Sequence, residues 1–255
     1  MREATLPQII EVLQKVGVKA GEGLLIHSAL QFFGCPIGGI EIYFSALQEV
    51  LGNDGTMVVP TFNFAFARGE DYDPTTTPAE GMGIFSEYFR QKPQAVRTTH
   101  PMQSFAVIGK WASELAACDT PSAFDDGSAV DRMLDLDFKL LLLGADIQAS
   151  AILHYSEQRA EVPYRYWKDF TGRVKRGRKW ETVTCRMFVR DLNFDAQLVI
   201  YPIQHVLEEK GQWASEKLNY GTVSLCTMKD FVSVTDQFLA EDPWVFVTNP
   251  PEGST

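Results

Sequence analysis

A run of four leucines, Leu140 to Leu143, is the feature that most restricts how this chain can fold. Periodicity alone does not separate a strand from a buried helix in so short a run. The polar residues before it and the closing Gly144 favour a central β-strand. After a short loop, a helical pattern carries His154 and Glu157. We expect the rest of the chain to be built around this strand and this helix.

Two strand patterns precede the leucine run. Gly23–Ser28 is a short apolar strand, followed by a glycine-rich loop and a helix over residues 40–51. Residues 56–62 are predicted to form the next apolar strand, which is stopped by its proline. Alternating strands and helices predict an α/β fold with a largely parallel sheet. Ligands bind such sheets at the carboxyl ends of strands, which is where His27 and Ser28 lie.

Two regions lack this alternation. Residues 63–83 are rich in Asp, Thr, Pro and Gly and show no apolar period, and loops of this length in a compact domain are often functional. Beyond Glu161, residues 164–168 are aromatic and basic. A basic run around Gly177 predicts a hairpin tip, and residues 182–189 alternate as an antiparallel strand does.

The charge balance argues against one class of partner. The 255 residues carry a formal net charge of −10, which disfavours binding to a nucleic-acid phosphate backbone. A cationic or amine-bearing small molecule would be drawn to such a surface. The chain shows no signal-peptide pattern and no run near the ~20 apolar residues of a membrane span. We expect a cytoplasmic protein with no membrane partner.

The cysteines give no sign of a metal or redox site. All four are scattered, without a CxxC pair or histidines at metal-ligand spacing. We expect no metal and reduced thiols. Cys35 lies in a glycine-rich loop, where it is either a small packing residue or a nucleophile without a visible activating partner.

His154 and Glu157 are the first candidates for chemistry. Residues three apart share a helix face, so the carboxylate can orient the imidazole, and such a pair is suited to general-base catalysis. The alternative is that His154 is a packing histidine and Glu157 is a solvated helix residue. Spacing alone does not decide between these two interpretations.

Several segments resemble one known family, the aminoglycoside 3-N-acetyltransferases, also described as antibiotic N-acetyltransferases. The matching pieces occur in the family's order and with its spacings over roughly residues 5 to 175. They are Ile26-His27-Ser28-Ala29-Leu30 with Gly34, Gly38 and Gly39; Asp54 to Phe62; Arg97 to Ser104 with Gly109; Gly127-Ser128; and Leu141 to Gly144 with His154-Tyr155-Ser156-Glu157.

The resemblance implies an α/β/α sandwich with a mixed central sheet, unlike the GNAT acetyltransferases, and a small antiparallel β element in the C-terminal third. It implies one acetyltransferase domain over residues 1–255 that moves an acetyl group from acetyl-coenzyme A to an amino sugar, as in antibiotic resistance. His154 would be the general base and Glu157 its orienting partner. Coenzyme-binding positions would be His27, Ser28, Ala29, Leu30, Thr61, Phe62, Arg97, Thr98, His100 and Ser104.

The expected chemistry is coherent. An amine is mostly protonated at neutral pH, so a base must free it before it attacks the thioester, and an imidazole with a reference pKa near ~6.5 is suited to that task. Backbone N–H groups around Ser28 to Leu30 are candidates to stabilise the oxyanion. Arg97 would either pair with a coenzyme phosphate or form a structural ion pair.

The acceptor is left open by the sequence. An aminoglycoside pocket should present carboxylates, and a sugar-nucleotide pocket should present cations such as Arg165, Lys168 and Arg173. We expect the loop 63–83 and residues 162–255 to shape this pocket. Candidate acceptor-binding residues are Asp71, Asp73, Glu80, Asp125 and Arg165, with Asp126 as a further carboxylate.

Three alternatives remain at this point. The chain could acetylate a nucleotide-linked amino sugar of surface-polysaccharide biosynthesis, or it could bind acyl-coenzyme A without catalysis. It could also use Cys35 or Ser28 as a nucleophile through a covalent acyl intermediate. A homodimer is one assembly compatible with the resemblance, and the sequence does not fix the oligomeric state.

Overall fold

A computed structural model describes residues 2–251 and 253. Its strands, in chain order, are β1 (Glu3–Ala4), β2 (Gly23–Ser28), β3 (Cys35–Pro36), β4 (Thr56–Pro60), β5 (Val96–Arg97), β6 (Phe105–Gly109), β7 (Lys139–Leu143), β8 (Arg165–Arg176), β9 (Lys179–Arg190), β10 (Ala214–Leu218) and β11 (Gly221–Thr227). Its α-helices are α1 (Leu6–Lys15), α2 (Glu41–Leu51), α3 (Gly83–Arg90), α4 (Ala112–Ala117), α5 (Ala129–Asp135), α6 (Leu153–Arg159), α7 (Tyr201–Glu209) and α8 (Met228–Glu241).

The central sheet is mixed. Its strand order is β10-β11-β7-β2-β4-β6-β5. Only β2 with β7 and β2 with β4 pair in parallel, and the other neighbours are antiparallel. The prediction of a largely parallel sheet is therefore wrong, whereas the mixed sheet implied by the family resemblance is confirmed. Local patterns predict strands but carry no direction; a tight connection such as that between β10 and β11 makes the pair antiparallel.

Both faces of the sheet are buried, which explains the leucine run. Leu141 and Leu143 of β7 point into the core on the side of α1, α2 and α3. Leu140 and Leu142 point into the opposite core, with α5, α6, α7 and α8. Because successive side chains of a strand alternate between faces, an uninterrupted apolar strand requires a core on each side. The α/β/α layers are thus confirmed.

The predicted hairpin stands apart from the central sheet. β8 and β9 pair antiparallel from Arg165 opposite Arg190 to Arg176 opposite Lys179. The hairpin is fastened to the long loop, because Tyr72 N–H donates to the Arg173 carbonyl and Lys175 N–H donates to the Tyr72 carbonyl, both at 2.9 Å. Met102 and Phe66 pack with its buried face. The base of the hairpin lies next to α6, where Arg165 pairs with Glu157.

No α-helix in the described chain has both the length and the apolar composition needed to cross a membrane.

Candidate active site

Gly144 lets the chain turn at the end of β7, toward the segment that leads to His154. Its φ is +77°, and a Cβ there would lie 2.7 Å from the Ala29 carbonyl oxygen, so only glycine fits without strain. A short 3-10 helix over Ile147–Ala149 follows, capped by Asp146, whose side chain accepts from Gln148 N–H. α6 then begins at Leu153. His154 therefore sits in the first turn of α6, near the carboxyl end of β2.

His154 and Glu157 form the predicted pair. His154 Nδ1 lies 2.5 Å from Glu157 Oε2, and the imidazole remains 33% exposed. A carboxylate acceptor fixes the proton on Nδ1 and leaves the lone pair on Nε2. The Phe124 ring packs edge-on against the imidazole, with centroids 5.8 Å apart. The alternative of a solvated Glu157 is wrong, since this side chain is fully buried.

Arg165 completes the cluster from the first position of β8. Its Nε lies 2.9 Å from Glu157 Oε2, and its side chain is 12% exposed. Burial alone would raise the pKa of Glu157, but His154 and Arg165 outweigh it and hold that pKa below the ordinary value. The sequence predicts that Arg165 binds the acceptor. The structure places its guanidinium against the Glu157 carboxylate.

Two cavities meet at His154. The larger has a volume of 720 Å³ and is lined by Phe64 and Ala67 of the long loop together with residues of α6, β8, β9 and the segment 192–198. The smaller has a volume of 350 Å³ and is lined by His27, Phe62, Met82 and neutral residues of the segment 148–153. The imidazole is therefore accessible from both cavities.

His27 forms part of the smaller cavity and is neutral. It is almost fully buried, and its Nε2 accepts a hydrogen bond from Ala151 N–H at 3.4 Å. Burial, and to a smaller extent the proximity of His154, lowers the pKa of His27 to about 4. At pH 7 it is an uncharged group and adds no positive charge near His154.

The predicted coenzyme residues Thr61, Arg97 and Ser104 form a buried cluster. Arg97 Nε donates to Ser104 Oγ at 2.8 Å and to Thr61 Oγ1 at 3.0 Å, and the guanidinium also donates to the Thr61 and Thr77 carbonyls. The Tyr72 ring lies over it, 5.1 Å from Cζ to centroid. The guanidinium thus holds the long loop to the sheet, through neutral acceptors and without a carboxylate partner in the described chain.

His100 and Thr98 also have internal partners. His100 Nδ1 accepts from Gln103 N–H at 2.9 Å, and its Nε2 lies 3.3 Å from the Arg186 carbonyl. Burial lowers the pKa of His100 to about 4. Thr98 Oγ1 accepts from Phe105 N–H. Of the predicted coenzyme residues, the structure brings only His27 and Phe62 into the lining of a cavity that His154 shares.

The segment Ser28, Ala29 and Leu30 lies beside the site. Ala29 N–H donates to the Leu143 carbonyl at 3.0 Å, so this amide is already engaged. None of the three residues is among the described residues that line the two cavities. Their predicted coenzyme and oxyanion roles stay predictions.

The predicted acceptor carboxylates are dispersed. Asp71 pairs with Arg173, Asp73 with Lys175, and Glu80 with Arg68. Asp125 accepts from Gln158 Nε2 at 2.8 Å, and Gln158 itself lines the larger cavity. Within the described chain, none of these four carboxylates lines either cavity.

Asp73 nevertheless provides a stability test. Burial would raise its pKa, but Lys175 Nζ at 2.7 Å and two hydrogen bonds from Thr75 lower the pKa to about 2. A carboxyl with a depressed pKa stabilises the fold above its unfolded pKa, and this contribution is lost as the pH falls through the folded value. We expect Asp73→Asn to lower the free energy of unfolding at pH 7 by about 1–2 kcal/mol.

Urea unfolding of both proteins between pH 7 and pH 2 measures this effect. The difference should be constant down to about pH 4 and shrink toward pH 2, because the wild-type carboxylate becomes protonated. Asp71→Asn in the exposed neighbouring pair is the control, with an expected change below about 1 kcal/mol. Equal losses of unfolding free energy in the two variants would contradict a stabilising role of the Asp73–Lys175 pair.

A family model agrees with this geometry. The model for aminoglycoside 3-N-acetyltransferases matches residues 25–240. The chain belongs to the aminoglycoside 3-N-acetyltransferase family.

Curated relatives and solved structures of this family cover the chain to different extents. Aminoglycoside N(3)-acetyltransferase IV from a Salmonella species is 30% identical over 258 residues, covering 96% of this chain and 91% of the relative. Aminoglycoside N(3)-acetyltransferase III, also from Salmonella, is 32% identical, but the match spans only 63% of its length and 64% of this chain. The crystal structure of apo AAC(3)-IVa superposes with a TM-score of 0.81 at 26% identity, covering 99% of this chain and 94% of that one.

A related crystal structure shows a histidine-to-alanine mutant of AAC(3)-IVa in complex with a gentamicin, with the same TM-score of 0.81 and 26% identity. AAC-IIIb, crystallised as a binary complex with CoASH, shares the fold at a TM-score of 0.83 and 19% identity. The family membership and the α/β/α fold implied by the sequence resemblance are thus confirmed.

Several residues around His154 and Glu157 are not predicted from the sequence. Phe124 packs on the imidazole, and Gln158 is held by Ser122 Oγ at 2.6 Å as well as by Asp125. Arg190 lines the larger cavity because it lies opposite Arg165 in the hairpin. The aromatic and basic stretch 164–168 was the available signal, but only the hairpin pairing shows which cations reach the site.

Cys35 lies outside the two cavities that His154 lines. It is exposed, sits in β3 and pairs with Glu3 of β1. It is not among the described residues lining the two cavities that share His154.

Proposed function

We propose that this member of the aminoglycoside 3-N-acetyltransferase family transfers an acetyl group from acetyl-coenzyme A to an amino group of an amino sugar. The observation that carries the proposal is the position of His154, oriented by Glu157, at the junction of two cavities. The names of the curated relatives support the same reaction class. The AAC(3)-IVa mutant complex shows that a structural relative binds an aminoglycoside.

The roles of the chain's own residues follow from the hydrogen bonds. Glu157 accepts a hydrogen bond from His154 Nδ1–H and so keeps the Nε2 lone pair free, with no hydrogen-bond partner for Nε2 in the described chain. Nε2 takes a proton from the amine while the amine nitrogen attacks the thioester carbonyl. The imidazolium then returns the proton to the leaving thiolate. Acetyl-coenzyme A supplies the activated acetyl group and the thiol leaving group. Arg165 keeps Glu157 ionised, so the carboxylate stabilises the imidazolium when it forms.

The two cavities suggest two occupants. The smaller cavity is neutral, since no Lys, Arg, Asp or Glu of the described chain is in its lining, and this suits an acylated pantetheine arm. The larger cavity lies between the long loop and the hairpin, which suits the acceptor. In this proposal residues 63–83 and 162–255 shape the acceptor pocket of a single domain.

A thiol-release assay with acetyl-coenzyme A tests the function. We expect free thiol and the mass of an N-acetylated product with at least one member of a panel of amino sugars, aminoglycosides and nucleotide-linked amino sugars. No release with any amine, despite measurable coenzyme binding, would favour a non-catalytic acyl-coenzyme A-binding relative. An increase in protein mass on mixing with acetyl-coenzyme A alone would instead indicate a covalent route.

A further inference from the structure

We propose that Tyr164 is a positioning residue for the His154–Glu157 pair, a role that rests on the proposed acetyl transfer. Its hydroxyl donates a hydrogen bond to Glu157 Oε1 and holds the carboxylate in the orientation that pairs with His154. Tyr164 is not among the described residues that line the two cavities. It therefore acts through Glu157 and not on a substrate.

The two oxygens of the Glu157 carboxylate have different surroundings. Oε2 lies 2.5 Å from His154 Nδ1 and 2.9 Å from Arg165 Nε. Oε1 is buried and has no hydrogen-bond partner of ordinary geometry in the described chain. A bare oxygen on a buried carboxylate is unfavourable, and the terminal torsion of a glutamate is broad, so partners on Oε2 alone leave the carboxylate free to turn. The site therefore needs a donor at Oε1.

The Tyr164 hydroxyl is suited to this task. The ring is 1% exposed and packs against Trp244 with centroids 5.7 Å apart, and the hydroxyl oxygen likewise has no partner of ordinary geometry among the described residues. Burial raises the pKa of the Tyr164 phenol, and the charge of Glu157 and a hydrogen bond between the two groups raise it further. A phenol O–H donates and a carboxylate oxygen accepts, so these two buried groups satisfy each other.

The backbone after α6 is strained in a way that brings Tyr164 to the carboxylate. Glu161 has φ +46°, a left-handed conformation that is costly for a residue other than glycine. The chain thereby turns back, and Val162 N–H donates to the Glu157 carbonyl at 3.2 Å. Arg165 N–H then donates to the Val162 carbonyl at 3.3 Å and closes the next turn. This turn contains Tyr164 and leads directly to the guanidinium that contacts Glu157.

A carboxylate held at both oxygens keeps the imidazole in one orientation, with the Nε2 lone pair directed at the amine. The described titratable groups that face Glu157 are His154, Arg165 and Tyr164, and His27, which is neutral at pH 7, faces His154. Loss of a donor makes a carboxylate a stronger base. Without the Tyr164 hydroxyl, the dyad should therefore take up a proton at a higher pH.

A titration of Tyr164→Phe tests this without turnover. The carbon-bound ring protons of His154, identified by their absence in His154→Ala, report the titration of the dyad by NMR. We expect the midpoint to move to higher pH by about 0.5 unit or more. The phenylalanine ring keeps the packing against Trp244, so the fold should be retained. An unchanged midpoint in the folded variant would overturn the inference.

Tyr43→Phe is the matched control. Tyr43 is also 1% exposed, its hydroxyl likewise has no partner of ordinary geometry among the described residues, and its ring packs near Phe33 in the core on the other side of the sheet. This variant makes the same chemical change in an equally buried place. We expect the midpoint of the wild type, and a shift as large as that of Tyr164→Phe would overturn the inference.

Thiol release provides the second readout. Tyr164→Phe should lower kcat by about 10-fold and leave the KM for acetyl-coenzyme A unchanged, because the hydroxyl orients the base and does not bind the coenzyme. A raised KM with unchanged kcat would contradict a positioning role. Absence of release by the wild type with every amine would contradict the proposed function itself, and the titration would still decide whether Tyr164 holds Glu157.

Discussion

Replacing His154 with alanine should lower kcat by ~100-fold or more, the usual effect of removing a general base. Among the described residues, the imidazole is the one titratable group that lines both cavities, and its Nε2 is free to take a proton. Without it, the protonated amine has no acceptor for its proton at the thioester. Acetyl-coenzyme A should still bind, because the rest of the smaller cavity is unchanged.

Single-turnover thiol release and calorimetric coenzyme binding separate these two expectations. His205→Ala is the control, since this exposed histidine lies in α7 and pairs with Glu209, 3.3 Å from Nε2 to Oε1. We expect its kcat to match that of the wild type. Turnover near the wild-type rate in His154→Ala would refute the role of His154, and loss of coenzyme binding together with kcat would indicate a structural defect instead.

The sequence predicts the elements around the site because their signals are local. The limits of β2 match the predicted strand Gly23–Ser28, and the Ser128 side chain caps α5 by accepting from Asp131 N–H at 3.2 Å. The pairing of His154 with Glu157 also follows from the spacing on one helix. Each of these features depends on residues within a few positions of one another.

The parts that could not be predicted depend on distant segments. Strand direction follows from how segments 61–104 and 190–220 return to the sheet, which no short pattern encodes. The sequence predicts that Arg97 pairs either with a phosphate or with a carboxylate, whereas its Nε donates to Thr61 and Ser104 in a buried cluster. The sequence predicts that Asp71 and Asp73 bind a cationic substrate, whereas in the structure they pair with Arg173 and Lys175 of the hairpin.

We expect the loss of the ion pair between Arg165 and Glu157 to lower the free energy of unfolding strongly. Breaking a buried pair by removing one member leaves an uncompensated charge, so Arg165→Met or Glu157→Gln should each lower the free energy of unfolding by about 3–5 kcal/mol. The two side chains are 12% and 0% exposed, so solvent cannot replace the lost partner. Arg173→Met, which breaks the exposed pair with Asp71, should cost less than about 1 kcal/mol.

The double variant Glu157→Gln/Arg165→Met decides whether the pair acts as a unit. If it does, the free energy of unfolding measured with urea should fall by clearly less than the sum of the two single-variant losses, since no charge is left unpaired. Strict additivity would show that the two side chains stabilise the fold independently.

The pH dependence of kcat tests whether Arg165 affects catalysis as well as stability. His154 and Arg165 hold the pKa of Glu157 below its ordinary value against the opposing effect of burial. In Arg165→Met the guanidinium no longer opposes burial, so the carboxyl should protonate at a higher pH than in the wild type. A protonated Glu157 no longer stabilises the imidazolium that forms during proton transfer. The acidic limb of the kcat profile should therefore move to higher pH, and an unchanged profile in a folded variant would restrict Arg165 to stabilising the fold.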